Sequence, residues 1–442
     1  MYYAIIYDVN LSDFEEYPPN TYKVYDTISE LKISDESNII DLTIPVAEAT
    51  FTLETNDSIK SGMWCEIRSG NEPSEDISDL WFRGLIKEAN YEDDKWSVVV
   101  ESLLAKLDEL DTAAKMYEND TVLPAIKYLF DLVNVPVDIY SVSQRNTIDG
   151  FCEEETLRER LQKLLFAEGY YIKQTFVLYP EIRDGWYWTS LSDNDSKLIP
   201  YDSVYWKPRI SDNTRYDKLT VFEYQYTQGT PSAGDETVTD GTTTWIVEKV
   251  SHTYDNIRYG VNNGKDVTVD TELTTIKNLD TVVDVSESSL FSAGSASCEV
   301  LIGDTETCPQ VGDKVFLPYC PFVEIPLIQH DTGDVYGIVG FVEKEEIQFG
   351  NNAKASIIIS GCKVVDTKKL VITYVATEFN NTLIRIDTYH FPVGYSYKIR
   401  NPKMHIDYNG VRYELSAEDE YLEDDMASQD TSVTVNVYSE EE

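Results

Sequence analysis

The runs FTLETND from Phe51, SGMWCEI from Ser61, WFRGLIKEA from Trp81 and KWSVVVES from Lys95 recur later in the chain, loosely but in order. Their counterparts are CEVLIGD from Cys298, VGDKVFL from Val311, GIVGFVEKE from Gly337 and KASIIISG from Lys354. Gly62 then matches Gly312, and Gly84 matches Gly340. Lys95, Ser97 and the three valines from Val98 match Lys354, Ser356 and the three isoleucines from Ile357. The spacings differ by a few residues, always between runs. The runs alternate or are continuously β-branched, and Gly, Asn, Asp and Pro punctuate them, as pleated strands with tight connections require. Each copy reads as one small antiparallel barrel or sandwich. Unrelated β domains also carry Gly-bounded apolar runs, but four blocks in one order speak for a duplication. The copies stand too far apart for a short-period solenoid, whose units adjoin at roughly 20–50 residues.

Outward from the repeat, 442 residues suffice for about three domains of roughly 150 residues each. Hydrophobic residues make up 42% and aromatics 12%, well above a chain that cannot bury a core. The 31 tyrosines suit half-buried strands, barrel rims and protein interfaces. The net charge of −43, from 79 acids against 36 bases, repels phosphate and argues against direct nucleic-acid binding. Such acidity keeps a Tyr-rich protein soluble until it assembles, or lines a passage through which a polyanion slides without adhering. The six cysteines show no CxxC spacing, so reduced, buried thiols are expected. MYYAIIYDVN reads as a strand and not a signal peptide, and no apolar run approaches the ~18 residues of a membrane helix. The expectation is a protein kept in a reducing cytoplasm or leaving it by a route other than secretion.

The fold class expected is mainly β with a smaller α+β part: two similar antiparallel β-barrels joined by a helix-containing domain, plus a C-terminal β extension. YYAIIYD, TYKVYDT and NIIDLTI are expected as strands completing a first barrel over 1–111. Leu103, Leu104, Leu107 and Leu110 fall at helical spacing, and Ala113, Ala114 and Met116 extend a helix-forming run. A mixed α/β connector over 112–240 follows. Asn119 or Asp120 is expected to cap a helix with the apolar stripe Val122, Leu123, Ile126, Leu129, Phe130 and Val133. A further helix begins near Thr156 and ends at Gly169 as a left-handed cap, with Glu153, Glu154 and Glu155 at its positive end. YYIKQTFVLY, GWYWTS and SVYWKP return to strand, and QGTPSAGDETVTDGTTT reads as a flexible loop or linker. The second barrel is placed at 241–366, opening with DVTVDTELTTI and TVVDVSESS as strands. The extension, 367–442, holds LVITYVATEF, TLIRIDTYHF, SYKIR, MHIDYNGVRYEL with its Asn-Gly turn, and TSVTVNVY. SAEDEYLEDD and the terminal SEEE read as solvated.

Signatures of catalysis are thin. His252, His330, His390 and His405 form no HExxH or i,i+4 pair, and FSAGSAS is not a nucleophile elbow. DNDSK from Asp193 lacks the turn glycine and closing glutamate of a calcium loop. The serious enzymatic alternative is a glycosidase, for which Glu181, Asp184 and Trp186 in LYPEIRDGWYW form the best local cluster. With so many acids such neighbours are inevitable, so no catalytic, cofactor-binding or metal-ligating residue is assigned.

The paired SGMWCEI…WFRGLIKEA and VGDKVFL…GIVGFVEKE blocks, with TLRERLQKLLFAEGYYIKQTF between them, carry a resemblance over roughly 1–365. The chain resembles the central hub proteins of phage-tail baseplates and related contractile injection systems. That resemblance implies a homotrimer whose six nearly equivalent barrels dock a six-fold tail tube on one face and a three-fold spike on the other. It further implies surrounding baseplate partners, a central channel, and a place in the virion tail after assembly in the host bacterial cytoplasm. No enzyme, cofactor, membrane insertion or sequence-specific nucleic-acid binding is expected. The alternative is a carbohydrate-binding or depolymerising tail component.

Overall fold

The structure, a computed structural model, describes residues 2–10, 22–26, 28–37, 44–70, 77–140, 142, 147–184, 197–199, 209–211, 216–255, 265–290, 295–302, 305, 307–317, 334–350 and 353–369. Beyond these it describes the backbone of seven strands between 372 and 438. The chain is mainly β with a smaller α+β part. The N-terminal part forms β1 (Tyr2–Asn10), β2 (Tyr22–Tyr25), β3 (Ile28–Glu36), β4 (Glu48–Leu53), β5 (Met63–Ser69), β6 (Leu80–Glu92) and β7 (Lys95–Glu101).

The connector supplies β8 (Asp111–Thr112), β9 (Lys115–Thr121), α1 (Val122–Leu132), β10 (Asp138–Tyr140), β11 (Thr147–Cys152), β12 (Glu155–Thr156), α2 (Leu157–Glu168), β13 (Tyr170–Lys173) and β14 (Glu181–Asp184). After β15 (Lys197–Leu198) and β16 (Arg209–Ser211), the strands β17 (Tyr216–Gln228), β18 (Glu236–Thr239), β19 (Thr244–Asp255) and β20 (Lys265–Val269) make a separate four-stranded sheet. Helix α3 (Leu279–Leu290) precedes β21 (Ser295–Leu301), β22 (Lys314–Leu317), β23 (Asp334–Gln348) and β24 (Lys354–Lys369).

The sequence repeat is a repeat of topology. In the first copy β4 pairs with β7, β7 with β6 and β6 with β5; in the second β21 pairs with β24, β24 with β23 and β23 with β22. Register agrees as well. Phe51 opposes Val98 as Cys298 opposes Ile357, and Cys65 opposes Gly84 as Val315 opposes Gly340. A bulge falls between Ile86 and Glu88 in one copy and between Val342 and Lys344 in the other. Gly62 and Gly312 share the left-handed backbone, φ 86° and 87°. Their amides donate to the matching carbonyls of Ile86 and Val342, at 2.7 and 2.8 Å. A one-residue slip would turn every core side chain to the wrong face, so this agreement in register is the physical content of the duplication.

Among the described residues the two copies are not separate sheets. Their strands join in one thirteen-stranded sheet, and a single core holds Phe51, Ile67 and Val98 from one copy together with Val300, Ile347 and Ile357 from the other. Strand β1 shows how the connector attaches: Ala4 and Ile6 face that core, while Tyr3, Ile5 and Tyr7 on the opposite face pack with α1 and α2. Helix α2 is buried on most sides. Its N-terminus carries a capping box between Thr156 and Glu159, and Gly169 ends it, as expected, in the left-handed region at φ 68°.

Several expectations are corrected. Ala113, Ala114 and Met116 do not continue a helix: Leu103–Asp108 is a short 3-10 segment, and Met116 lies in β9 opposite Phe151, where sheet pairing overrides helix propensity. Helix α1 is preceded by Thr121 rather than capped by Asn119 or Asp120. TVVDVSESS is not a strand but lies in α3, where Leu279, Val282, Val283 and Ser286 recur at helical spacing and are buried. DVTV lies in β20, which pairs with β17 and not with the second copy. The Thr/Ser tract is partly ordered, since Glu236–Thr239 pairs with β19 and Val238 packs beside Trp245. Ile44 in NIIDLTI is buried but lies outside any strand.

The five C-terminal runs form six strands where expected: β25 (Ile372–Phe379), β26 (Thr382–Phe391), β27 (Tyr397–Arg400), β28 (Met404–Tyr408) and β29 (Val411–Ala417) from the single run MHIDYNGVRYEL, and β31 (Thr431–Tyr438). A further strand, β30 (Tyr421–Asp424), pairs with β27 inside the acidic stretch expected to be solvated. Tyr408 opposes Val411, and the expected Asn-Gly turn, Asn409 and Gly410, lies outside the described residues. GWYWTS, SVYWKP, the first four residues of DNDSK, FSAG and the terminal SEEE also lie outside them, while Lys197 opens β15.

Candidate functional site

The site that the duplication points to is the junction between its copies. Residues 344–348 of β23 pair antiparallel with residues 32–36 of β3, with Lys344 opposite Glu36, Glu345 opposite Asp35 and Ile347 opposite Ile33. Further backbone bonds from Ser37 N to Glu343 O, at 2.9 Å, and from Phe349 N to Leu31 O, at 3.1 Å, extend the seam at both ends. On its outer face Lys344 Nζ meets Glu36 at 2.6 Å, and Lys32 Nζ meets Glu346 at 3.0 Å. These exposed pairs set register and contribute only about 0–1 kcal/mol each.

The inner face of the seam is unusual. Beside the facing pair Ile33 and Ile347, which are buried hydrocarbons, Glu345 lies fully buried opposite the buried Asp35. Asp35 accepts from Glu36 N at 2.8 Å, Gln174 Nε2 at 2.7 Å and Thr175 Oγ1 at 3.2 Å. Gln174 also receives Ala47 N and Ser102 Oγ, so this network ties the seam to the connector. Glu345 Oε1 accepts from Cys308 Sγ at 3.4 Å, while Oε2 has no hydrogen-bond partner among the described residues. Burial, and after it the facing Asp35, pushes Glu345 up to about 8. Burial likewise raises Asp35 to about 7, against its hydrogen bonds. Both prefer to stay protonated at pH values where exposed carboxylates are ionised.

A second charged cluster fastens the first copy to the connector. Glu66 receives Arg68 Nε at 2.8 Å and Arg83 at 2.6 Å, all three side chains being at most 4% exposed. Arg83 also donates to Leu178 O at 2.9 Å and lies over the rings of Trp64 and Tyr179. Glu155 is similarly held by Arg160 and Lys163, so this acid of the expected Glu153–Glu155 group has a structural role.

Of the carboxylate cluster weighed for a glycosidase, one acid is engaged in an ion pair. Glu181 is ion-paired to Arg183, with Nε 2.8 Å from Oε2, and Trp186 lies outside the described residues. A cleft of about 800 Å³, which no sequence motif announced, lies between β9, β11, β17 and β19. It is lined by stacked Tyr224 and Tyr226, by Trp245, and by His252, whose Nε2 is 2.7 Å from Glu223. Among the described residues no group of three or more His, Cys, Asp or Glu is arranged to hold a metal ion, and no helix is long and apolar enough to cross a membrane. Cys65, Cys152, Cys298 and Cys308 are buried thiols, and none of these four is in a disulfide.

No protein-family model and no curated protein matches the sequence. Solved structures do match. The tail protein from Neisseria meningitidis MC58 aligns over 76% of this chain and 93% of its own, with TM-score 0.50 and 12% identity. The 43 kDa tail protein of prophage MuSo2 from Shewanella oneidensis aligns over 81% and 98%, with TM-score 0.49 and 13% identity. A chain of the phage P2 baseplate in its activated conformation aligns over 81% and 99%, with TM-score 0.32 and 13% identity. The resemblance read from the sequence is thus met at the level of fold: the chain has the fold of a phage tail protein.

Proposed function

We propose that the chain is the structural hub of a phage-tail baseplate or of a tail-like injection particle. In this reading three chains close a pseudo-six-fold ring around a central channel, joining a hexameric tail tube to a trimeric spike and contacting surrounding baseplate proteins. The barrel units of the ring are 1–111 and 241–366, to which Arg209–Ser211 adds a strand; 112–240 connects them, and 367–442 extends towards the spike or the periphery. The observation that carries the reading is the agreement of the two copies in strand order, register and bulge, with one copy seated edge to edge on the other. Two near-equivalent units per chain solve the mismatch between a six-fold and a three-fold partner, because each interface must close on itself. Such a hub acts by pre-formed contacts and catalyses nothing. Its acidity keeps DNA or a protein passing through the channel from adhering, and its place is the virion tail, after assembly in the host cytoplasm.

The test is the mass of the purified chain by light scattering at near-physiological salt, followed by imaging with tail tubes. Particles of three times 50.5 kDa that cap tube ends support the hub. A monomer that binds or cleaves polysaccharide instead moves the function to a carbohydrate-active tail component.

A further inference from the structure

The junction inside the chain has an unfilled twin. By the matched registers, residues 344–348 of β23 correspond to residues 88–92 of β6, since Val342, Lys344 and Glu345 take the places of Ile86, Glu88 and Ala89. Strand β3 has its own counterpart. Lys32, Ile33 and Ser34 oppose Thr50, Ala49 and Glu48, while Arg209, Ile210 and Ser211 oppose Ser297, Ala296 and Ser295, which are the same positions of the second copy. Strand β16 is therefore the second copy's β3, set apart from its partner β21 by the four-stranded sheet and α3.

In the second copy the outer edge of 344–348 is covered by β3. In the first copy residues 88–92 pair, among the described residues, only with β7, because β5 reaches along β6 no further than Leu85, opposite Trp64. Likewise β3 is paired on both sides, whereas β16 pairs only with β21 and ends the sheet. Each chain thus presents one vacant acceptor edge, on residues 88–92 of β6, and one vacant donor strand, β16, among its described residues. An uncovered edge is a template for another strand.

We infer that a second copy of this chain docks head to tail here, its β16 lying antiparallel on 88–92 of β6 as β3 lies on β23. The inference rests on the ring reading above and names the contact that would build the ring. The register follows from the internal junction: Glu92 faces Arg209, Tyr91 faces Ile210 and Asn90 faces Ser211. Side chains on the acceptor fit. Glu92 and Arg209 are exposed and of opposite charge, as Lys32 and Glu346 are across the internal seam. Tyr91 is 48% exposed with its ring 5.1 Å from that of Trp96, at the position where Ile347 is fully buried by β3. The buried acid pair is not repeated, because Ala89 stands where Glu345 stands in the second copy. The internal and external seams are therefore alike in shape and different in chemistry. A contact of two different edges propagates, and it closes only if the rotation per step divides the circle.

The test places Asn90→Cys and Ser211→Cys in one full-length chain and adds a mild oxidant. Their counterparts Glu346 and Ser34 form a facing pair that alternates with the hydrogen-bonded ends of the seam. Such pairs bring Cα atoms to about 4.5 Å, within disulfide reach. Covalent species ending at three chains, absent from either single variant, are expected. In parallel, Glu92→Arg and Arg209→Glu should each raise the assembly midpoint concentration roughly threefold or more, and the double reversal should restore it. A trimeric mass without any specific cross-link overturns the strand pairing and leaves the hub reading standing. A covalent series running past three chains supports the pairing and overturns the closed trimer. A monomer without cross-link at every concentration overturns the pairing as well.

Discussion

Replacing Glu345 by glutamine should make the protein more stable in alkali and little changed in acid. Glu345 is fully buried, and burial and then Asp35 raise it from an ordinary 4.5 to about 8. The folded chain therefore holds this proton over a pH range in which the unfolded chain has released it. Stability is greatest on the acid side and falls as pH rises between about 4.5 and 8, because the folded state then binds more protons than the unfolded state. At about 1.4 kcal/mol per unit, the fall between pH 5.5 and 8.5 is on the order of 3 kcal/mol for this group. Asp35, raised in the same direction, adds a smaller fall centred lower. Glutamine keeps the shape and a carbonyl to accept from Cys308 but cannot ionise. Urea unfolding at both pH values reads the effect directly. The wild type should lose most of that amount between pH 5.5 and 8.5, and the variant distinctly less. Equal losses in both proteins would refute the reasoning, because Glu345 would then not be the group whose ionisation strains the seam.

Glu66→Ala leaves two buried guanidinium groups without their shared carboxylate and should cost about 3–5 kcal/mol by the same unfolding assay. Thr156→Ala removes the capping box of α2 and should cost about 1 kcal/mol, with loss of helical circular dichroism at the lower end of the melt. Gly84→Ala would drive a methyl to 1.9 Å from the Glu101 carbonyl oxygen, so overpacking should cost at least about 1–3 kcal/mol, seen as a lowered melting temperature.

What could be read in the sequence was whatever repeats or carries its own punctuation. The four paired runs announced themselves because β-branched residues and turn glycines recur in one order, and Thr156 and Gly169 marked both ends of α2. Other parts were masked by the wrong local cue. The valines of Val282, Val283 and Val285 suggest a strand, and only their phase with Leu279 and Ser286 shows a helix. Ala113 and Ala114 favour a helix, and pairing across β9 overrides them. The junction was hidden for a different reason. Arg209–Ser211 is three residues long and its partner strand lies beyond an inserted sheet and helix, so no window of sequence contains both. Glu345 sits in a run of alternating charges and looks like any solvated acid, since its burial depends on a strand more than three hundred positions away.

The central claim is that the two copies are interchangeable units of one ring. Its most direct test is a cryo-electron microscopy reconstruction of the assembled particle with only three-fold symmetry imposed. The account predicts six lobes around a channel, with the β3–β23 seam inside each chain alternating with a β16–β6 seam between chains. Three chains touching through other surfaces, with β6 and β16 facing solvent, would contradict it.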